Sequence, residues 1–328
     1  MLTRRQFAAL AGGTAAVALL PYGTFAQVWT PPKPVTVVVP YPAGGPTDSL
    51  ARLVVQEISP ALGQPAVVEN VPGGATVIGT LRVARGPADG TQLIASTNQT
   101  FSTNISLLPN GGGYDPVKDF APIALLADLQ HILVVKNDLP VKSVADLIAL
   151  AKKEPGKINC GSTGQGSASH LTLELFKVKA GVQMTHVPYK GSAPLLQDLL
   201  GGHVDCSFAT TPTVLAQIQA GKLRAIAVAS PNRSPHLPEL PTVNQAGVQG
   251  VEADAWLGIF APAGMPEAAL TRYRQLVLEA MKKDSVRATF MSQGMAVNVK
   301  DAKAFAAFLQ DDIKRWAEVI KIADVKPE

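Results

Sequence analysis

The chain is short of cysteine, aromatic residues and charge: two cysteines in 328 residues, 5% aromatics and 16% charged residues. Each shortage excludes something. Two cysteines cannot staple a disulfide scaffold, and Cys160 and Cys206 have neither the CxxC nor the Cys/His spacing of a zinc or haem site. So little charge beside 47% hydrophobic residues excludes a disordered chain and a solvated coiled coil. The longest apolar stretch lies at the extreme N-terminus, which excludes a polytopic membrane protein. Lys and Arg do not cluster or interleave with aromatics, so the formal charge of +4 points to no nucleic-acid partner. What the chain has in quantity is 28 Gly and 26 Pro, the punctuation of many short strand–loop–helix units, in a length suited to two domains.

The N-terminus reads as an address. Thr3-Arg4-Arg5-Gln6-Phe7 is a twin-arginine pattern, followed by the small apolar run Ala8 to Leu20 and a small-residue site, Thr24-Phe25-Ala26. Residues 1–26 are therefore expected to be a twin-arginine-type signal peptide, with export of a folded protein to the periplasm. The alternative, a plain membrane anchor, fits poorly with a run so short and so rich in Ala and Gly.

Beyond it, β-type and helix-type runs alternate. Val35-Thr36-Val37-Val38-Val39 is a β-branched stretch suited to a strand buried on both faces. After Pro40 to Pro46 the spacing turns helical, with Leu50, Leu53, Val54, Ile58 and Leu62 on one side. Strands are expected at Ala66–Glu69, Gln92–Ala95, Ile132–Val135, Lys157–Cys160, Met184–Pro188, Val204–Phe208, Leu223–Ala229 and Trp256–Ala261. Helices are expected at Thr76–Arg85, Ser143–Lys153, Ser167–Lys179, Ala193–Leu200, Thr213–Ala220, Pro266–Lys283, Ser285–Gln293 and Ala302–Ile322. Such βαβ repetition predicts mostly parallel sheets with helices on both faces. Cys160 and Cys206 each follow a strand-like run and read as buried free thiols, a disulfide being the alternative.

Two Gly-rich loops join a strand to a helix: Tyr41 to Asp48 and Gly161 to Ser167. Glycines let backbone N–H groups converge, and a helix N-terminus adds unpaired donors, so each loop is a candidate anion seat. Neither fits a nucleotide motif, since GxGxxG lacks its third glycine at Gly164 to Ser169 and no GxxxxGK[ST] occurs. No GxSxG elbow occurs either, and a hydrolase would have to use Ser167 and His170, a histidine that reads as a helix-face or hinge contact. Other strand-end polar groups are Ser96 and Asn98 in the run Ser96 to Thr100, the Tyr189 hydroxyl and Lys190 charge, Asp205 as an orienter of donors, and Thr210.

These segments together resemble the periplasmic solute-binding proteins of tripartite tricarboxylate transporters, the Bug proteins. The family pattern aromatic-Pro-x-Gly-Gly-x-x-Asp-x-x-Ala-Arg stands here as Tyr41 to Asp48 and Ala51-Arg52. Pro72-Gly73-Gly74, Pro87 to Thr91, Tyr114 to Phe120, Gly161 to Leu171, Val187 to Gly191 and Asp198 to Asp205 also fit. The resemblance implies an α/β, two-lobed type II periplasmic binding protein (flytrap) fold, each lobe a mostly parallel sheet flanked by helices. Lobe 1 would be residues 27–128 plus 255–328 and lobe 2 residues 129–254.

It also implies a receptor, not an enzyme, needing no cofactor or metal. Such a receptor captures a dicarboxylate or aromatic acid and, as a monomer, hands it to the large and small membrane subunits of a transporter. A partner role for a two-component sensor is the alternative use. The ligand contacts carried over are Tyr41, Ala43, Gly44, Gly45, Thr47 and Asp48 from the first loop, and Ser162, Gly166, Ser167, His170, Tyr189 and Lys190 from lobe 2. Ser96, Asn98, Asp205 and Thr210 support them. Tyr41 stands where many members carry Phe, which adds a hydroxyl at the pocket mouth.

Overall fold

The computed structural model describes residues 29–326 except 253. The expected signal peptide, residues 1–26, lies outside the described residues.

In chain order the first elements are β1 (Val35–Val39), α1 (Pro46–Leu62), β2 (Ala66–Asn70), α2 (Val77–Ala84) and β3 (Gln92–Thr97). A π-helical turn, Gln99–Thr103, runs straight into the short α3 (Asn104–Leu107), and β4 (Phe120–Leu129) follows. The chain then builds a second unit: β5 (His131–Lys136), α4 (Val144–Lys153), β6 (Asn159–Ser162), α5 (Ala168–Ala180), β7 (Thr185–Pro188), α6 (Ser192–Leu200), β8 (Cys206–Thr210), α7 (Thr211–Gln219) and β9 (Leu223–Val228). It returns through β10 (Ala255–Pro262), α8 (Glu267–Ala280), α9 (Asp284–Ser292), β11 (Ala296–Asp301) and α10 (Ala302–Ile322).

Two sheets result, ordered β11-β4-β10-β3-β1-β2 and β7-β6-β8-β5-β9. Both are mixed. The βαβ units make the parallel pairs, β1 with β2 and β3, and β6 with β7 and β8. Strands β10 and β5 bring the chain into each sheet from the other one. Each runs against both of its neighbours, and β11 against β4 adds a further antiparallel pair. The sequence pattern predicts the parallel units but carries no sign of this reversal, because strand direction at a crossing is set by where the chain arrives from.

Local reasons account for most elements. Val37, Val38 and Val39 are fully buried between helices on both faces. Ser143 caps α4 by accepting from the Asp146 N–H at 3.1 Å. Helix α10 buries Phe305, Leu309, Trp316 and Ile320, as its spacing predicts, whereas Phe308 and Ile313 are only partly covered. Phe101 and Phe260 stack with centroids 3.8 Å apart beside Trp256. Below them the buried Asp312 accepts from the Ser102 hydroxyl (2.6 Å), the Trp256 indole (2.8 Å) and Arg315 (2.7 Å), tying the π-turn, β10 and α10 together.

Strands β4 and β11 are absent from the expectations drawn from sequence. Phe120–Leu129 holds Ala and Leu without β-branched alternation, and Pro122 lies inside it, so it carries little strand signal. Ala296–Asp301 is a short half-buried edge. Cys160 and Cys206 are register partners on β6 and β8, both thiols and both fully buried. Only Gln130 separates β4 from β5, so the two sheets meet abruptly. Ser230 knots this crossing to the returning one: its hydroxyl takes the Gln130 amide at 3.1 Å and donates to Asp254 Oδ2 at 2.6 Å.

Candidate functional site

Strands β1, β3, β6, β7 and β8 direct their C-terminal ends toward a cavity of about 60 Å³ between the two sheets. At each end the chain turns into a helix, and the cavity wall takes the first residues of those helices. Gly45, Pro46 and Thr47 open α1, and Asn98 and Gln99 open the π-turn. Ser167 and Ala168 open α5, Ser192 and Ala193 open α6, and Thr210 precedes α7. Five helical N-termini thus converge, each bringing partial positive charge, although Gln99 N is taken by Thr97 Oγ1 and Thr211 N by Gln130 O. The floor is made where the chain crosses between sheets: Leu129 ends β4, His131 begins β5, and Ala255, register partner of Leu129, begins β10.

No Lys, Arg, Asp or Glu lies among the described residues that line the cavity. Tyr41 lines it with its hydroxyl engaged to Thr97 Oγ1 at 2.7 Å, and burial raises its pKa, so it is neutral. Asn98 is 1% exposed, and among the described residues its Nδ2 has no hydrogen-bond partner. A buried amide donor left in that state costs about 1–3 kcal/mol unless something accepts from it.

The first loop is braced from behind by Asp48. Gly44, at φ +84°, donates its N–H to Asp48 Oδ2 at 3.0 Å. Arg52 Nε (3.1 Å) and Asn70 Nδ2 (3.0 Å) complete the carboxylate's partners. Burial pulls the Asp48 pKa up, but Arg52, Gly44 and Asn70 together outweigh it and hold the carboxyl below its ordinary value. Asp48 therefore shapes the loop without facing the cavity.

The Gly/Ser loop of the five-stranded sheet is held in the same indirect way. Ser167 caps α5, accepting from His170 N (3.3 Å) and donating to Gly164 O (2.7 Å). Gly166, at φ +71°, donates its N–H to His170 Nδ1 at 3.2 Å, which places the imidazole proton on Nε2. Ser162 Oγ lies 2.6 Å from His186 Nε2. His170 is pushed down to about 3 by burial, the neighbouring His186 and then Lys177. His186 is pushed down to about 4 by burial and Lys177. Two hydrogen bonds cross the cleft to this loop: Gln99 Nε2 to Gln165 O (3.1 Å) and Thr103 Oγ1 to Gly166 O (2.8 Å).

Of the residues expected to contact a ligand, Tyr41, Ala43, Gly45, Thr47, Asn98, Ser167 and Thr210 line the cavity. Gly44 lies on the adjoining outer groove. Ser96, bonded to Thr100 at 2.6 Å, and Ser162, Gly166 and His170 stand behind the wall.

Tyr189, Lys190 and Asp205 are elsewhere. The Tyr189 hydroxyl is turned to Asp198 Oδ2 at 2.7 Å, and Lys190 is exposed. Asp205 accepts from Lys136 Nζ (2.9 Å) and Asn159 N (2.8 Å) at the start of β8, roughly 16 Å of strand from Thr210. Among the described residues the Ser167 hydroxyl and the His170 imidazole, which a hydrolase would pair, share no hydrogen bond: of His170 the hydroxyl meets only the backbone N–H, and the imidazole Nδ1 is taken by Gly166.

Sequence reasoning passed over His131, Leu129, Ala255, Thr163, Ser192 and Ala193, all of which line the cavity. Ser192 follows Gly191 at a helix start and could have been found on that ground. The floor residues are ordinary strand positions with no local signal. Thr97 and Gln99 sit inside the polar run already singled out around Ser96 and Asn98.

Residues 50–325 match the family described as the tripartite tricarboxylate transporter family receptor. Protein BugT of Bordetella pertussis is 35% identical over 297 residues, covering 90% of this chain and 91% of BugT. An R. palustris protein solved with adipate is 38% identical at a TM-score of 0.87, covering 91% of this chain and 99% of that one. MatC from Rhodopseudomonas palustris with bound malate is 33% identical at a TM-score of 0.83, covering 88% and 99%.

Proposed function

We propose that this chain, which belongs to the tripartite tricarboxylate transporter receptor family, is a periplasmic receptor that closes its two lobes on a small organic carboxylate. The observation that carries the reading is the cavity wall: five helical N-termini and the partnerless Asn98 Nδ2, with no fixed charge of either sign. Such a wall holds an anion by neutral donors, which lose less on being desolvated than an ammonium or guanidinium would, and it repels no carboxylate. Two relatives solved with dicarboxylates, adipate and malate, support the same ligand class.

In this reading the lobes are residues 27–128 plus 255–328 and residues 129–254, hinged at the Gln130–Ser230–Asp254 knot. Ala43, Gly45, Thr47, Asn98, Ser167 and Thr210 contact the ligand, while Asp48, Gly166 and His170 hold the loops in place. Closure excludes water and strengthens the helix-terminus interactions. The loaded receptor, exported by its twin-arginine-type leader, delivers the acid to the two membrane subunits of the transporter.

Thermal unfolding of the purified protein against C4 to C10 aliphatic and aromatic acids tests this. A ligand at a hundred times its dissociation constant adds about 2.7 kcal/mol, a rise of several degrees in Tm for a chain this size. No shift with any acid, after endogenous ligand has been removed by unfolding and refolding, would sink the proposal.

A further inference from the structure

We propose, on the two-lobed receptor reading above, that Asp254 makes closure of the lobes depend on pH. Its ionised carboxylate opposes opening, so a rise in pH favours retention of the ligand and a fall favours release.

The crossing strands separate two openings. Successive side chains of a strand point to opposite faces. Leu129 and Ala255 line the ligand cavity, while their neighbours Asp128 and Trp256 on β4 and β10 line a groove of about 580 Å³ behind it. Asp254 lies in the same groove. Both lobes build its walls: Leu175 and Lys179 come from α5, and Arg315, Val319 and Ile322 from α10. Rigid lobes turning about strands set between two openings widen one as they narrow the other. Opening the ligand cleft therefore brings α5 and α10 together over Asp254.

That carboxyl is poorly provided for as an anion. Oδ2 accepts from the Ser230 hydroxyl at 2.6 Å, but Oδ1 is buried and has no hydrogen-bond partner among the described residues. Arg315 on α10 gives its guanidinium to Asp312 at 2.7 Å, Lys300 on β11 sits over the Phe308 ring, and Lys179 on α5 is exposed. Asp128 on β4 and the nearby Glu252 add like charge. In the arrangement crossed by the Gln99 and Thr103 bonds, burial above all pushes Asp254 up to about 7. Ser230 and Arg315 work against burial, Asp128 and Glu252 with it. Narrowing the groove removes more water and raises the carboxyl further. Between the two values the open form keeps a proton that the closed form has lost, so closure gains up to about tenfold for each pH unit. Below about pH 7 both forms are protonated and the dependence ends.

Small-angle X-ray scattering of the purified, ligand-free protein and calorimetric titration with malate, both from about pH 6.5 to 9, test this, since malate stays ionised throughout. As the pH rises the radius of gyration should fall and the affinity for malate should rise by about threefold to tenfold. In D254N both quantities should be flat. In S230A, which loses the hydroxyl that donates to the carboxylate, the response should persist but move to higher pH, a displacement that a merely structural role would not produce. A radius and an affinity that hold steady in the unaltered chain overturn the inference, as do changes of opposite sign or of equal size in D254N. Should D254N fail to fold, an undisplaced profile in S230A overturns it. A ligand-free protein that contracts with rising pH but binds neither malate nor adipate would sink the carboxylate reading and leave the hinge assignment standing.

Discussion

His170 and His186 lie face to face, their ring centroids 3.9 Å apart and their planes 15° from parallel. The stack underpins the Gly/Ser loop, with one ring accepting from Gly166 and the other bonded to Ser162. Neither imidazole reaches the cavity wall. Their contribution is to fix the backbone that does.

Acid should therefore loosen the protein well above the carboxylate range. Both rings are neutral in the folded chain, pushed down to about 3 and about 4, whereas an unfolded imidazole titrates at 6.5. Between those limits the unfolded chain binds more protons. Stability is then complete above about pH 6.5 and falls as the pH drops, by up to about 1.4 kcal/mol per pH unit for each ring. Urea midpoints at several pH values between 7.5 and 4.5 check the slope, and His186→Gln should flatten it. A midpoint that holds steady to pH 4.5 would count against the neutral stack.

Asp254 acts with the opposite sign. Burial pushes its carboxyl up to about 7, Ser230 opposes that, and Asp128 adds to it. A carboxyl raised in the folded state makes folding harder as the pH climbs from about 4 through 7. Asp254→Asn should therefore raise Tm by several degrees at pH 8 and change it little at pH 5. An equal effect at both values would show that the gain comes from something other than ionisation.

The cleft-crossing bonds bear on closure. Thr103 is fully buried and its hydroxyl reaches Gly166 O from the other side of the cleft. Such a bond contributes about 0.5–1.5 kcal/mol net, so Thr103→Val should weaken carboxylate binding by roughly threefold to tenfold. The free variant should also scatter X-rays with a larger radius of gyration. If neither quantity moves, the bond does not favour the closed arrangement.

Gly258 tests packing behind the cavity, where β10 pairs with β3 at Ser96. A Cβ added there would land on the ring of Phe305, which is itself packed on Trp256 and Phe260. Gly258→Ala should destabilise the fold by about 1–3 kcal/mol, read as a lower urea midpoint with an unchanged slope. A neutral result would mean that the aromatic cluster can shift to make room.

Local sequence settled much of this protein. The valine run at Val35, the serine caps at Ser143 and Ser167 and the apolar stripe of α10 each act within a few residues. The propensities and bonds that form those elements therefore show in the order of the letters. The two glycine loops were legible for the same reason, and the structure places both against one cavity. Tertiary structure alone decided which residues of those loops face inward. Asp48 is drawn behind its loop by Arg52 and Asn70, and His170 by its stack on His186, partners 4 to 22 residues distant. Tertiary structure also made the floor. Leu129, His131 and Ala255 meet because two crossing strands pair in a particular register, and registers between segments more than a hundred residues apart leave no local mark.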